Sequence, residues 1–537
     1  MPRIRREGLA PVLMVQGTAS SVGKSTLVAG LCRLFARRGL RVAPFKAQNM
    51  SNNAAVCPGG GEIGRAQYAQ ALAARVTPTV DINPVLLKPQ GGACQVIVRG
   101  QVHGVQAATE YFGARRGDLW WVVVGALDRL RQGYDLVIAE GAGSPAEINL
   151  RDRDIVNMRV ALHSRADVLL LGDIDRGGAF ASLLGTWGWL EPEERALVRG
   201  YILNKFRGDP TLLAPAPTLL ERRTGVPVLG VVPHVDDLAL PEEDAASLTQ
   251  RNERRVCVEV AVVHLPHLSN FDEFDPLAAE PGVQVRYVCT PEELRAPDLV
   301  ILPGSKATIP DLLWLHERGF AQRIRWLVWH GTPVLGICGG YQMLGTVVRD
   351  PHRAESEQVS APGVGLLPVE TELAGAKRLV RTRGRVRDHR PGLWGAMGGM
   401  PVEGYEIHLG HTSGAGTTPL LDLADGPDGA VSADGLAAGT YLHGILERPE
   451  PRHALLQELA ATRGFSWQPD NGPPADPYDR LADLFEETIQ LDAARLPSLA
   501  SCLADSRPEV AIMPLPADRV RTSATHRRAG RRRLKAP

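Results

Sequence analysis

Two short segments of the 537-residue chain combine residue types and spacings that could do chemistry, and the first of them suits a phosphate. Residues 16–26 read Gln-Gly-Thr-Ala-Ser-Ser-Val-Gly-Lys-Ser-Thr, between an apolar run and a helical pattern. Two glycines let backbone N–H groups wrap a phosphate, and the N-terminus of the following helix adds its dipole. A lysine and a serine at the end of the segment suit the β/γ-phosphates and Mg²⁺. The segment predicts an ATP–Mg²⁺ site formed by Gly17, Thr18, Gly23, Lys24, Ser25 and Thr26.

Carboxylates and an asparagine follow three later apolar runs, where the strands of a parallel sheet would end beside the nucleotide. Glu140 ends the first of these runs and is predicted to bind Mg²⁺ together with Ser25; a helix N-cap or a surface acid is the alternative. Asp173 and Asp175 are predicted either to approach Mg²⁺ and the phosphates or to be simple turn acids. Asn204 stands where nucleotide-binding α/β proteins recognise the base.

The second chemical segment predicts a nucleophile elbow. Residues 333–345 contain Gly-Ile-Cys-Gly-Gly, in which a strand enters a sharp turn and a helix leaves it. Small flanking residues allow Cys338 a strained, exposed position, and the helix N-terminus favours its thiolate. His443 is the predicted base, and the N–H groups of Gly339 and Gly304 are the predicted oxyanion hole. A buried core cysteine and a structural histidine are the alternatives.

The strands and helices that position both segments are indicated by alternating apolar runs and helical patterns. Continuous apolar runs are typical of buried parallel strands, and they recur in two blocks along the chain. The pattern predicts an α/β fold made of two α/β domains with mostly parallel sheets. The predicted divisions are an ATP-binding domain at 1–235, a charged linker at 236–255, a second domain with a C-terminal helical segment at 256–495, and a basic, disordered tail at 496–537.

Composition excludes several classes of function. Lys plus Arg and Asp plus Glu both number 60, so the net charge is zero, which argues against a nucleic-acid binder. Aromatic residues make up only 5%, too few for base-stacking platforms. Seven cysteines without a CxxC pair argue against a disulfide framework and against a zinc site. They predict a cytoplasmic protein. No apolar run reaches the roughly 18 residues of a membrane span. Oligomeric state is left open.

Both chemical segments resemble known domain families. The phosphate loop has one residue more than the usual Walker A spacing, and in this it resembles dethiobiotin synthetase and its relatives, which activate carboxylates with ATP. The elbow and its histidine resemble a class I glutamine amidotransferase domain. Members of that class carry a Glu two residues after the His, where this chain has Ile445. The resemblance implies a Cys–His dyad or a carboxylate recruited from elsewhere, for which Glu406 is a candidate.

The combination of these two domains resembles the cobyric acid synthase family over nearly the whole chain. The segments that carry this resemblance are residues 44–53, 61–67, 83–89 and 140–147. It implies ATP-dependent amidation of the b, d, e and g carboxylates of adenosylcobyrinic acid a,c-diamide in cobalamin biosynthesis. It also implies L-glutamine as nitrogen donor and a corrinoid small molecule as substrate.

The residues themselves suit this chemistry, because ATP would turn an unreactive carboxylate into an acyl phosphate that ammonia could attack. A polar loop follows the second strand. Its side chains suit the amide-rich edge of a corrinoid, and the alternative is that it is an ordinary surface loop. Its predicted substrate residues are Lys46, Gln48, Asn49, Asn52 and Asn53. The alternatives are the a,c-diamide synthase of the same pathway, an enzyme amidating a peptidoglycan lipid precursor, and a ParA-like regulatory ATPase with an inactive glutaminase domain.

Overall fold

A parallel six-stranded sheet forms the centre of the N-terminal part of the chain. The computed structural model describes residues 8–90, 93–113, 117–235, 256–373, 377–388, 392–469, 476–492, 494–500 and 502. The strands of the N-terminal part are β1 Val12–Gly17, β2 Val42–Phe45, β3 Gln48–Met50, β4 Ala54–Val56, β5 Glu62–Gly64, β6 Val85–Gln90, β7 Ala93–Val98, β8 Gln101–Ala107, β9 Leu136–Glu140, β10 Asp167–Asp173, β11 Val198–Phe206 and β12 Val228–Pro233. Its helices are α1 Lys24–Arg37, α2 Arg65–Ala73, α3 Ala108–Gly113, α4 Gly117–Gly133, α5 Met158–Ser164, α6 Ala179–Trp189, α7 Pro192–Arg195 and α8 Ala216–Thr224.

The strand order of this sheet, β12-β11-β10-β1-β9-β2, places β1 between β9 and β10. The strand order reverses at β1, so the crevice at its carboxyl end is the place where doubly wound sheets bind their ligands. β1, β9 and β10 are buried along their whole length. Burial on both faces explains why these strands read as unbroken apolar runs rather than as alternating ones.

The C-terminal part contains a second six-stranded sheet, of order β15-β13-β16-β18-β28-β27, parallel except for β27. Its strands are β13 Val258–Val263, β14 Leu268–Ser269, β15 Val283–Val288, β16 Leu299–Leu302, β17 Gly304–Ser305, β18 Val334–Ile337, β19 Val347–Arg349, β20 Ser360–Pro362, β21 Glu370–Glu372, β22 Arg378–Val386, β23 Pro401–His408, β24 His411–Ser413, β25 Leu421–Leu423, β26 Gly426–Asp428, β27 Ala430–Val431 and β28 Ala437–Thr440. Its helices are α9 Asp275–Ala278, α10 Thr308–Glu317, α11 Phe320–Trp329, α12 Gly339–Leu344, α13 Pro449–Thr462 and α14 Pro477–Thr488.

Small accessory sheets bring the two parts together. In the N-terminal part, β3, β6, β7 and β8 form one such sheet, and β4 pairs with β5. In the C-terminal part, β22 and β23 pair over eight residues and contact β4. Their shared apolar cluster contains Ala54, Val56, Leu86, Ile97, Tyr405 and Ile407. The two parts therefore meet through elements that the apolar runs did not predict.

The last helix of the described chain packs on the N-terminal part. α14 lies against α1, where Phe485 covers Gly30 so closely that a Cβ there would be 2.2 Å from a ring carbon. Arg33 and Arg37 of α1 pair with acidic residues of α14. Beyond the helix, the Gln490 N–H donates to the Leu229 carbonyl. The predicted second domain includes this helical segment, because the apolar face of a helix does not specify the element that covers it.

The predicted fold class, two α/β domains with mostly parallel sheets, is confirmed. The domain limits stay a prediction, and the predicted linker at 236–255 lies outside the described residues. The predicted tail begins within the folded chain, since Leu496 and Leu499 are buried in the N-terminal core and Cys502 is buried as well. Residues 503–537 of that tail also lie outside the described residues. Among the helices described, none is long and apolar enough to cross a bilayer.

Replacing Phe485 by alanine tests the docking of α14. We expect Phe485→Ala to lower the free energy of unfolding of the N-terminal part by about 3 kcal/mol, because it leaves a cavity against α1. Glu487→Ala, an exposed position on the same helix, is the matched control and should change little. Calorimetric unfolding of both variants measures the difference, and equal transitions would contradict this packing.

Candidate active sites

The phosphate loop connects the end of β1 to the start of α1. Gly23 has a φ of 98°, and a Cβ there would lie 2.2 Å from the Asn204 amide nitrogen, so only glycine fits. Lys24 folds back over the loop, where its Nζ donates to the Ala19 carbonyl at 2.8 Å and the Gly143 carbonyl at 3.1 Å. The lysine ammonium therefore lies at the mouth of the loop, where a bound phosphate would meet it.

Glu140 is the centre of a buried polar cluster beside the loop. Its Oε1 accepts from Ser25 Oγ at 2.8 Å and pairs with Lys46 Nζ at 2.8 Å, and its Oε2 accepts from Gln70 Nε2 at 2.6 Å. No group of three acidic, His or Cys ligands occurs among the described residues. One carboxylate and one hydroxyl suit Mg²⁺, which takes its remaining ligands from phosphates and water.

Two of the three residues predicted to contact the nucleotide or its metal, Asn204 and Asp173, brace the loop in this structure. The Asn204 side chain donates to the Val22 carbonyl at 2.9 Å. Asp173 pairs with Lys205 at 3.0 Å, and that lysine donates to the Ser21 carbonyl at 2.7 Å. Asp175 lies further out and pairs with an exposed arginine. A base contact by Asn204 stays a prediction, whereas the ion pairs of Asp173 and Asp175 favour structural roles.

The predicted substrate residues divide between two places. Lys46 lies against Glu140, at the nucleotide side. Gln48 accepts a hydrogen bond from the Tyr111 hydroxyl. Asn49, the next residue of β3, is buried, and its Nδ2 has no hydrogen-bond acceptor among the described residues. Asn52 Oδ1 likewise has no hydrogen-bond donor among the described residues. The backbone of Asn53 is held in the fold, since its N–H donates to Ser51 Oγ at 3.0 Å and its carbonyl accepts from the Arg65 N–H.

Gln67 and Asn49 together form what we call the amide-rich site. No sequence pattern singled out Gln67. Its side chain is completely buried, yet neither of its amide atoms has a hydrogen-bond partner among the described residues. A Cβ at Gly64 would lie 2.4 Å from Gln67 Oε1 and 2.5 Å from Asn49 Nδ2, so the two amides meet above this glycine. Buried amides in native proteins are satisfied, which indicates a polar ligand or water at this point.

The cysteine elbow has the strained geometry that its glycines predicted. Cys338 has φ 53° and ψ −110°, a conformation that non-glycine residues seldom adopt, between β18 and α12. A Cβ at Gly340 would lie 1.9 Å from the Leu302 carbonyl oxygen, so the turn excludes any larger residue. The thiol is buried rather than exposed as predicted, and it donates to the Ile407 carbonyl at 3.4 Å. It is close enough to His443 to raise the pKa of that ring. The structure thus brings the predicted nucleophile and base together.

Glu273 supplies a carboxylate to His443 that sequence analysis missed. Its Oε1 is 3.0 Å from His443 Nδ1, and its Oε2 accepts from the Gly444 N–H at 3.2 Å. The His443 ring is fully buried and stacks on Tyr405. Although burial opposes the charge, Glu273 and Cys338 raise the pKa of His443 to about 10. Cys338, His443 and Glu273 thus form a Cys–His–carboxylate arrangement.

Glu406, the carboxylate that the sequence offered for this place, serves another purpose. It pairs with Arg378 and with His408 Nε2 at 3.3 Å, and these partners hold its pKa below the usual range against the effect of burial. The neighbouring Tyr405 exchanges backbone hydrogen bonds with His443. Because side chains alternate along a strand, Glu406 points away from the histidine that its neighbour contacts.

The two predicted oxyanion segments border the same pair. A Cβ at Gly304 would lie 3.1 Å from His443 Cε1, and a Cβ at Gly339 would lie 2.9 Å from the Ser305 nitrogen. Burial lowers the pKa of the adjacent Lys306, and the electrostatic interaction with Cys338 acts in the opposite direction. Both glycines are therefore close to the cysteine, and their role as oxyanion donors stays a prediction.

Comparisons with known proteins agree with this division into two sites. Residues 13–248 match a family model described as a CobQ/CobB/MinD/ParA nucleotide binding domain. Residues 259–451 match one described as a CobB/CobQ-like glutamine amidotransferase domain. The cobyric acid synthase of Chloroflexus aurantiacus is 51% identical over 486 residues, which cover 88% of this chain and 96% of that protein.

Two further relatives carry the same name. The cobyric acid synthase of Pelotomaculum thermopropionicum is 51% identical over 468 residues, or 85% of this chain and 89% of its own. That of Sorangium cellulosum is 49% identical over 507 residues, or 89% and 97% respectively. Similarity therefore extends across both sites rather than being limited to one domain.

Alkylation of Cys338 tests the contribution of Glu273. We expect Glu273→Gln to slow the reaction of Cys338 with iodoacetamide at neutral pH by about tenfold, because loss of the carboxylate makes His443 a weaker base for the thiol proton. Peptide mass spectrometry separates Cys338 from the exposed Cys289. Glu406→Gln is the matched control and should react like the wild type. Equal rates in both variants would assign Glu273 no part in the site.

Proposed function

The chain belongs to the cobyric acid synthase family, and we propose that its two sites divide one amidation reaction between them. The enzyme amidates the b, d, e and g carboxylates of adenosylcobyrinic acid a,c-diamide in cobalamin biosynthesis, with nitrogen from glutamine. The site at Cys338 releases ammonia, and the phosphate-loop site activates the carboxylate. The observation that carries this proposal is the Cys338–His443–Glu273 arrangement in a chain that also holds a phosphate loop.

The phosphate-loop site would turn each carboxylate into an acyl phosphate. A carboxylate oxygen attacks the γ-phosphorus of ATP, the bond to the β-bridging oxygen breaks, and ADP leaves. Lys24 would neutralise charge on the transferring phosphoryl group. Ser25 and Glu140 would hold Mg²⁺, which when bound shields the phosphate charge. Support comes from the contact between the Ser25 hydroxyl and the Glu140 carboxylate.

The cysteine site would supply the nucleophile for the second step. The Cys338 thiolate attacks the side-chain amide carbon of glutamine, and the N–H groups of Gly304 and Gly339 would stabilise the oxyanion. His443 Nε2 gives its proton to the departing nitrogen, which leaves as ammonia, while Glu273 orients the ring through Nδ1. Water then hydrolyses the thioester to glutamate. Ammonia attacks the acyl phosphate, phosphate leaves, and the amide forms.

The amide-rich site would bind the corrinoid edge. Asn49 and Gln67 are buried amides with atoms that lack a hydrogen-bond partner in the described chain, and the corrinoid periphery offers amides and carboxylates that would match them. Lys46 would link this site to the nucleotide, since it pairs with Glu140. The proposal also includes a cytoplasmic location, which seven unpaired cysteines support.

Replacing Lys24 tests the phosphate-loop site. We expect Lys24→Ala to reduce amidation to background with either glutamine or ammonium as nitrogen source, because the charge on the transferring phosphoryl group is no longer balanced. Glutamine hydrolysis should survive, since Cys338 lies in the other part of the chain. Mass spectrometry of the corrinoid product measures amidation, and a glutamate assay measures hydrolysis. Normal amidation by this variant would remove the phosphate-loop assignment.

Replacing Cys338 separates the two half-reactions. Cys338→Ala removes the nucleophile, so glutamine-dependent amidation should vanish. Amidation from high concentrations of ammonium salt should persist and increase with pH, because more free NH₃ is then present. Glutamine-dependent and ammonium-dependent amidation are both measured on the a,c-diamide substrate with ATP and Mg²⁺. Wild-type use of glutamine by the variant would contradict the elbow assignment, and loss of the ammonia reaction in a folded protein would contradict independent sites.

A further inference from the structure

One side chain, Asn270, bonds both to the N-terminal part of the chain and to the base of the cysteine site. The Ala54 N–H donates to Asn270 Oδ1 at 3.1 Å, and Asn270 Nδ2 lies 3.2 Å from His443 Nε2. Asn270 is buried and occupies the left-handed backbone region, with φ 54° and ψ 36°. Asparagine tolerates this region better than most residues. It immediately precedes the short 3-10 helix Phe271–Phe274 that carries Glu273.

The contact with Ala54 decides which way the Asn270 amide faces. A backbone N–H can only donate, so the oxygen of the amide must face Ala54. The NH₂ group must then face His443 Nε2, and it needs a lone pair there rather than a proton. The remaining proton of the ring belongs on Nδ1, where Glu273 accepts it. The N-terminal part thus selects one tautomer of the histidine in the other part.

A second contact between the two parts reaches the same short helix. Arg65 Nε is 2.5 Å from Asp272 Oδ2, and the side chains are 14% and 2% exposed. Asp272 is the neighbour of Glu273 in the chain. Arg65 begins α2, which follows β5, and β5 pairs with β4 and its Ala54. Both contacts therefore come from one segment, residues 54–65.

This segment is continuous with the amide-rich site. Ala54 directly follows the loop of Asn49, Asn52 and Asn53, and α2 carries Gln67 two residues beyond Arg65. A ligand that engages these amides would act on the same strand and helix that hold Asn270 and Asp272. The chain therefore contains a short, buried connection between the two sites.

We propose that Asn270 is a positioning residue through which the N-terminal part restrains glutamine hydrolysis until the amide-rich site is filled. The inference rests on the proposed function of Cys338, His443 and Glu273. With the Asn270 NH₂ group facing Nε2, a proton on Nε2 would meet another donor. Transfer of the proton from Cys338 Sγ to Nε2, which makes the thiolate, is then disfavoured.

Movement of Ala54 would release the restraint. Once the Ala54 N–H no longer requires the Asn270 oxygen, the amide can turn over and offer Oδ1 to a protonated Nε2. Glu273 already favours that proton, so the thiolate forms when the opposition ends. Other ionisable groups that act on this region are Cys338, Asp272, Tyr405, Lys306, Glu447 and Arg65, and of these only Arg65 changes in the variants below.

Basal glutamine hydrolysis, measured without corrinoid and without ATP, tests the restraint. Asn270→Asp replaces the NH₂ group by an oxygen, and Asn270→Ala removes it. We expect the first to raise the basal rate about tenfold and to shift its acid limb to higher pH, because the added negative charge raises the pKa of both His443 and Cys338, and the second to raise the rate to a smaller extent. Arg65→Gln, which weakens the contact with Asp272, should also raise it. A merely structural role would lower the rate in all three.

Arg381→Gln is the matched control, because it removes the hydrogen bond between Arg381 and Tyr68, another contact between the two parts, without touching Asn270 or Asp272. Its basal rate should equal that of the wild type. Ammonium-dependent amidation checks that the N-terminal part of each variant is folded. Unchanged or lower basal hydrolysis in both Asn270 variants would overturn the restraint. Failure of the proposed function is seen separately, as glutamine-dependent amidation by Cys338→Ala.

Discussion

Glu62 is a fully buried carboxylate that two lysines neutralise from the two parts of the chain. Lys88, on β6, lies 2.8 Å from it, and Lys377 of the C-terminal part lies 2.5 Å away. The lysines lower the pKa of Glu62 to about 2 despite its burial, while burial lowers that of Lys88 to about 7. Removing one partner of a buried ion pair costs about 3–5 kcal/mol. The two parts therefore cannot separate here without exposing a charge to water or leaving a buried charge unpaired. This constraint keeps the segment that contacts Asn270 and Asp272 against the C-terminal part.

Local sequence patterns predicted what short stretches of chain determine. The buried parallel strands appeared as apolar runs, and the phosphate loop and the elbow appeared because tight turns leave glycines at set spacings. The accessory sheets did not appear, since strands such as β4 and β5 are three residues long and carry no clear alternation. Glu273 was missed for a different reason. It precedes His443 by 170 residues, so only the folded chain brings the carboxylate to the ring.

The packing partner of the C-terminal helix α14 could not be predicted from the sequence either. Leu481, Ala482 and Phe485 form its buried face in the structure, and nothing in their spacing specifies α1 as the partner. Proximity in sequence favoured the nearer domain. The actual partner offers the small residue Gly30 beneath Phe485 and arginines opposite the acids of α14. Complementarity of shape and charge over a long separation decides the placement, and such complementarity has no local signature.

Sharing one chain between two half-reactions creates a problem of timing, because glutamine hydrolysed without an activated carboxylate is wasted. The segment from Asn49 to Gln67 is suited to address it. Its amides form the polar site, its strand β4 touches Asn270, and its helix begins with Arg65. Because Glu62 anchors the middle of this segment, a ligand at the amides would act on its two ends, Ala54 of β4 and the start of α2, while the contact at Glu62 stays closed. The same interface can then hold the two sites together and still let one report its occupancy to the other.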